Sequence, residues 1–278
     1  MSRLNPQEEL VITENPVKKY LTIKNTYTEE KIYSKGKEKI VKVLDSPVLA
    51  YSEKTEDEEG NIEYIKKEIK FPITFCFIDP NWTQFKGFSK TENLFYYTNE
   101  VNNNNSPLIL RSKEGIVLET SLKEIQEQDP GKKVRTAKAQ ELYNTLTANT
   151  KRHNSLYLGL LNEENEIELV CLQLKGANLS GNKDIPNSGW WNQQKFFNKT
   201  GGLYANWFTI QDWVEVSSEV GDYNIINFTK GNLLSKEEEQ QAKQIAKVIE
   251  KKKKSKNNSN KSEGIDEDID DDIDEDYE

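Results

Sequence analysis

The sequence predicts a mainly β protein of the α+β class, a barrel or sandwich of strands elaborated by a few helices. Apolar and polar residues alternate over several separate stretches, which is the period of a half-buried strand. Turn-forming residues interrupt those stretches at short intervals. Helical spacing appears near residues 121–150 and again near 235–250, without the strand–helix alternation that a parallel α/β sheet requires.

In chain order, residues 1–15 are polar and read as a flexible arm ahead of a β-rich body over 16–234. VKKYLTIKN is a first strand, with Lys18 and Lys19 at its entrance. KEKIVKVLDSPVLAYS reads as a second, and EKTEDEEGN, residues 53–61, as a charged loop or hairpin tip. The strongest strand signal runs from Ile65 through Ile69, Phe71, Ile73, Phe75 and Phe77, and Pro72 inside it argues for an edge or a bulge. Residues 80–101 crowd Trp82, Phe85, Phe88, Phe95, Tyr96 and Tyr97 among Lys, Asn, Thr and Ser. LILRSKEGIVLET is a hairpin turning at Glu114-Gly115.

Ser121 and Glu124 form a capping box for a short helix, and a second helix is predicted from Thr136 to Ala148. NSLYLGLL and EIELVCLQLKG, joined by a polar turn, are the clearest hairpin. ANWFTIQDWVEVSS should set Phe208, Ile210, Val214 and Val216 on one face and Trp207, Thr209, Gln211 and Trp213 on the other. DYNIINF is a short last strand. A capping box at Ser235–Glu238 and the stripe Ala242, Ile245, Ala246, Ile249 predict a helix over 235–250. A cationic linker, 251–262, leads into 263–278, EGIDEDIDDDIDEDYE.

That last run is too acidic to collapse alone and is expected to be disordered in isolation. Ile265, Ile269, Ile273 and Tyr277 recur every four residues, so a basic groove with an apolar floor would fold it into a helix; Asp276 and its neighbours supply the charge. Eleven of the chain's 47 acids lie there, which leaves 36 acids against 38 bases, a net of +2 for residues 1–262. A chain of formal charge −9 is therefore a slightly basic body carrying its own anion.

The remaining composition excludes more than it assigns. Cys76 and Cys171 sit in separate alternating runs and read as reduced, buried thiols. The N-terminus has no apolar core of a signal peptide and no run is long enough to span a membrane, so a cytoplasmic protein is expected. One histidine, His153, rules out most nucleophile–histidine and histidine–metal schemes. There is no phosphate-binding glycine loop, no paired-cysteine zinc spacing and no nucleophile elbow. Position six of a calcium loop starting at Asp266 is Asp271 where glycine is needed. No enzyme activity, cofactor or metal is expected.

Aromatic and basic residues in the same stretches are left. Single-stranded nucleic acid binds by stacking bases on rings beside a cationic track, at about 1–3 kcal/mol per base. Three stretches have this composition: residues 82–97 with Trp82, Lys86 and Lys90; residues 190–199 with Trp190, Trp191, Lys195 and Lys199; and the Trp207 and Trp213 face. Lys132, Lys133, Arg135, Lys138, Lys151 and Arg152 form the densest basic region of the body. The competing reading of each is ordinary: rings in β proteins pack cores, and charge runs are solvated faces.

With those residues in view, the chain resembles single-stranded DNA-binding proteins of double-stranded DNA bacteriophages. An aromatic β body, a Lys-rich linker and an acidic tail with Tyr277 near its end carry the general likeness. NPVKKYLTIK, IKFPITFCFID, YYTNEV, SLYLGLL with EIELVCLQLKGA, and SKEEEQQAKQIAKVIEK carry the narrower one. The resemblance implies an OB-fold-like antiparallel barrel, and a tail that recruits replication proteins (a polymerase, helicase or primase) and competes with DNA for the groove. The chain ends in Glu278 after Tyr277 instead of an apolar residue, which departs from the bacterial pattern of tail docking. The alternative, of a different class, is a virion structural or packaged cargo protein whose acidic end docks on a basic capsid or portal surface. An acidic DNA mimic fits less well, because the body is not acidic.

Overall fold

The computed structural model describes residues 17, 19–34, 37–56, 62–162, 166–200, 203–217 and 222–259. The arm, Lys18 and the acidic run with Ile265, Ile269, Ile273, Asp276 and Tyr277 lie outside the described residues.

One long strand, β6 (Ile73–Ser89), organises the rest. At ~3.3 Å per residue it extends about 56 Å, about three times an ordinary strand. Along one edge, Phe75–Lys86 pairs with β10 (Lys151–Leu161). The other edge is divided, Ile73–Cys76 pairing with β12 (Asn206–Val216) and Lys86–Ser89 with β7 (Leu94–Thr98). From β10 the sheet continues through β11 (Ile167–Lys175), β1 (Lys19–Lys24) and β4 (Val48–Glu56) to β5 (Ile62–Ile69). From β7 it continues through β8 (Pro107–Ser112) to β9 (Gly115–Ser121), while β12 carries β13 (Tyr223–Leu233). β1 and β11 run parallel, Lys19–Thr22 against Val170–Gln173. β2 (Tyr27–Ser34) and β3 (Lys37–Leu44) form a two-stranded sheet of their own.

The mainly β, α+β expectation therefore holds, but the antiparallel barrel is corrected. The sheet forks on β6, contains a parallel pair and ends at β5 and β9 without these meeting among the described residues. Closure would require every strand to find two neighbours around one axis; here the two branches serve different cores.

Alternation along the central strands sends side chains to both faces. Phe75, Phe77, Leu156, Leu158, Val170 and Leu172 build the larger core with Phe208 and Phe228. It is capped by α3 (Gly176–Ser180) and α4 (Trp190–Lys199) through Leu179, Trp190 and Phe197. Cys76, Ile78, Trp82, Tyr157 and Cys171 point the other way, into a cluster closed by Ala242 and Ile249 of α5 (Lys236–Ser259). Farther along β6, Phe85 joins Tyr96, Leu108 and Leu110 in a third cluster under α1 (Leu122–Ile125) and α2 (Ala137–Thr147). Burying each such side chain contributes about 1.5–3 kcal/mol.

Several boundaries differ from the pattern reading. The run 65–77 is two strands, β5 and β6, parted at the cis Phe71-Pro72 bond, where proline has no N–H for a ladder. Residues 37–52 likewise hold β3 and part of β4, parted at Asp45–Pro47. The C-terminal helix continues past 250 to Ser259 through five lysines, which are good helix formers. A bulge in β12 between Ile210 and Asp212 shifts its register by one residue. Trp213 then stands opposite Ile226 on the larger-core side, whereas Trp207 packs under α5, so the two indoles occupy opposite faces.

Candidate nucleic-acid interface

The far half of the sheet has one covered face and one open face. Gly87 and Tyr96 are cross-strand partners, and Tyr96 belongs to the third cluster, so Lys86, Phe88, Phe95 and Tyr97 must project to the other side. Register then lines up Lys151, Lys86, Tyr97 and Arg111 across four adjacent strands. Phe88 and Phe95 face each other in the next row. Their side chains are 48% and 38% exposed, and the Phe95 and Tyr97 rings lie 6.1 Å apart at 24°. Lys86 is half-buried and its ammonium donates to Gln173 Oε1 at 2.8 Å.

Local chemistry explains why this arm folds as it does. Ser89 Oγ accepts from the Glu92 amide at 3.3 Å, and Asn93 takes a left-handed φ of 54°, closing the turn. Glu92 then accepts from Tyr96 Oη at 2.7 Å and from Asn149 Nδ2 at 3.0 Å, tying the hairpin to the end of α2. Gly87 permits that tie, because a Cβ there would meet the Asn149 backbone carbonyl.

The structure distributes the other expected site residues widely. Trp82 is 4% exposed, donating to Asp79 Oδ2 at 2.7 Å, and Trp190 is 0% exposed in the larger core. Neither presents a ring face to a base, so both are withdrawn as stacking residues. Trp207 is half-buried beneath α5 and donates to Glu238 Oε2 at 3.3 Å. Trp213 tilts against Phe71 at 6.0 Å. Trp191 is half-buried with the Arg152 guanidinium 4.7 Å from its ring centroid. Lys19 is committed to Glu168 at 2.8 Å. Arg135 donates from Nε to the Ile125 carbonyl at 2.9 Å and lies 3.8 Å over Tyr143, fastening the end of α1 to α2. Lys132, Lys133 and Lys138 are exposed, but on the α1–α2 unit that covers the opposite face. Of the described cations that the sequence singled out, Lys86 and Lys151 lie in the open row.

Burial pushes both thiols, Cys76 and Cys171, up to about 12, so they are inert packing groups. Among the described residues no three His, Cys, Asp or Glu are grouped to hold a metal, and no helix is long and apolar enough to cross a membrane. No protein-family model, curated protein or solved structure matches the chain.

Sequence reasoning flagged the crowded stretch 80–101 but chose its tryptophan over Phe88, Phe95 and Tyr97. The usable signal was the i, i+2 spacing of Lys86 with Phe88 and of Phe95 with Tyr97 on either side of a turn.

Proposed function

We propose that the protein binds single-stranded DNA with little regard to sequence, on the open face of the β6–β7 arm. The observation that supports this reading is the interleaving of exposed Phe88 and Phe95 and half-buried Tyr97 with Lys86, Lys151 and Arg111 in two adjacent rows. Rings accept any base because every base has a π-face, and the cations neutralise phosphates without reading sequence. The role is that of a replication or recombination protein of a bacteriophage, in keeping with the resemblance of the sequence.

The acidic run completes the reading. α5 packs on the same side of the sheet as Lys86, and the run begins four residues after the helix ends. It is a tethered anion able to occupy the cationic rows when no strand is bound, and a hook for replication proteins when one is. Anisotropy of labelled oligo-dT tests both parts. Wild-type protein should bind with an affinity that weakens steeply with salt, and a chain lacking 263–278 should bind more tightly. Absence of binding at low salt removes the proposal, and unchanged affinity on deletion removes the competitor role.

A further inference from the structure

A second polar feature lies on the other side of the sheet. Between β6, β10 and the start of α4 is a cavity of about 200 Å³, lined by Arg152, Trp191 and a rim of neutral amides including Asn81, Asn102, Asn104 and Gln194. α4 starts here because Gly181 and Gly189, at φ of 81° and 76°, pack backbone to backbone with no room for a Cβ on either. That contact brings the Trp191 ring over Arg152.

One edge of the guanidinium is held and the rest is not. An Nη2 hydrogen bond to Thr83 Oγ1 at 3.1 Å is itself oriented, since Thr83 donates to Asn154 Oδ1 at 3.0 Å and Asn154 donates to the Pro80 carbonyl at 3.2 Å. Nε is buried without a partner, and Nη1 has no acceptor among the described residues. No carboxylate among the described residues pairs with Arg152. Burial holds its pKa below the ordinary arginine value, and the Tyr143 phenol works against that trend. Arginine nonetheless keeps its proton in proteins, so the cavity is lined by a half-buried cation that has a ring and a hydroxyl for neighbours but no carboxylate among the described residues, a setting that an anion would stabilise.

We infer that the Arg152 cavity is an anion site for a phosphoryl group, separate from the open face of the sheet. A guanidinium pairs with phosphoryl oxygens, and with neutral amides around the rest of the rim the three oxygens of a phosphoryl group can be met from several sides. The phosphoryl group belongs either to the backbone of a bound strand or to a free phosphate compound, and the two sources are separable.

Thermal unfolding of the full chain with inorganic pyrophosphate, against chloride at equal ionic strength, is the first arm. Wild-type Tm should rise. Arg152→Gln, which keeps an amide donor towards Thr83, should not respond to pyrophosphate, each response being read against the variant's own Tm without the ion. Asn104→Asp, an exposed rim change that leaves the core intact, should also abolish the response. A wild-type Tm indifferent to pyrophosphate, or an Arg152→Gln response equal to the wild type's, overturns the site. The second arm measures oligo-dT affinity against salt. A fall of about 0.7 in the log–log slope for Arg152→Gln assigns the site to a strand's phosphate. An unchanged slope for Arg152→Gln, beside a pyrophosphate response that wild type shows and the variant lacks, assigns it to a free phosphate compound. If wild-type protein fails to bind oligo-dT at all, the single-strand reading falls while the Tm arm still decides this site.

Discussion

The two halves of β6 are finished differently. From Phe75 to Ile78 the strand is enclosed on both sides, by α3, α4 and the rings of Phe208 and Phe228 on one face and by α5 on the other. From Phe85 to Ser89 it is covered on one face only, by α1 and α2, and the opposite face keeps two phenyl rings exposed beside cations. The enclosed half shows that this chain has the means to bury aromatic residues thoroughly. Rings left outside on the continuation of the same strand are therefore better explained by an external partner than by a shortage of core.

Substitutions on either half measure that difference. Phe77→Ala, in the enclosed half, should cost about 3–5 kcal/mol in urea unfolding. Phe88→Ala should stay within about 0.5 kcal/mol. An equal loss for both would mean that the open face is structural. A second contrast comes from pH, since Cys76 and Cys171 both belong to the enclosed half. Their folded pKa of about 12 stands above the ordinary thiol value of 9.0, so the folded state favours the neutral thiol. That stability is fully present below about pH 9 and should be lost progressively as pH rises towards 12, seen as a falling denaturation midpoint; neither thiol should react with a thiol reagent at pH 8 in the native protein.

On the open half, Phe88→Ala and Phe95→Ala should each weaken oligo-dT binding by about 1–3 kcal/mol with the fold unchanged by circular dichroism. Loss of affinity from Trp213→Phe instead would move the binding surface elsewhere. The smallest effects belong to the cations. Lys86→Gln and Lys151→Gln should each reduce the salt slope of oligo-dT binding by about 0.7 while altering sequence preference little.

Much of the fold was legible because its signals are local. Ser121 and Thr136 accept from the amides of Glu124 and Ala139, as capping positions should, and the hairpins at Glu114-Gly115 and after Leu161 follow from alternation and turn chemistry. The candidate interface was less legible because exposure is a non-local property. Trp82 and Phe88 lie on the same face of the same strand, and what separates them is the reach of a helix more than 140 residues later. The bulge in β12 had the same effect on Trp207 and Trp213, which no count of alternating positions assigns to opposite sides. Arg152 read as one member of a basic cluster; its isolation from carboxylates appears only once β10 is placed against β6 and α4.

The parallel pairing of Lys19–Thr22 with Val170–Gln173 sets an order of events for a chain made from its N-terminus. β1, β4 and β5 can pair with one another as they emerge, but that three-stranded piece joins the rest of the sheet only through β11, some 150 residues later. The pairing that unites the first-made strands with the central sheet is therefore a late, long-range closure, and it waits on the translation of β11.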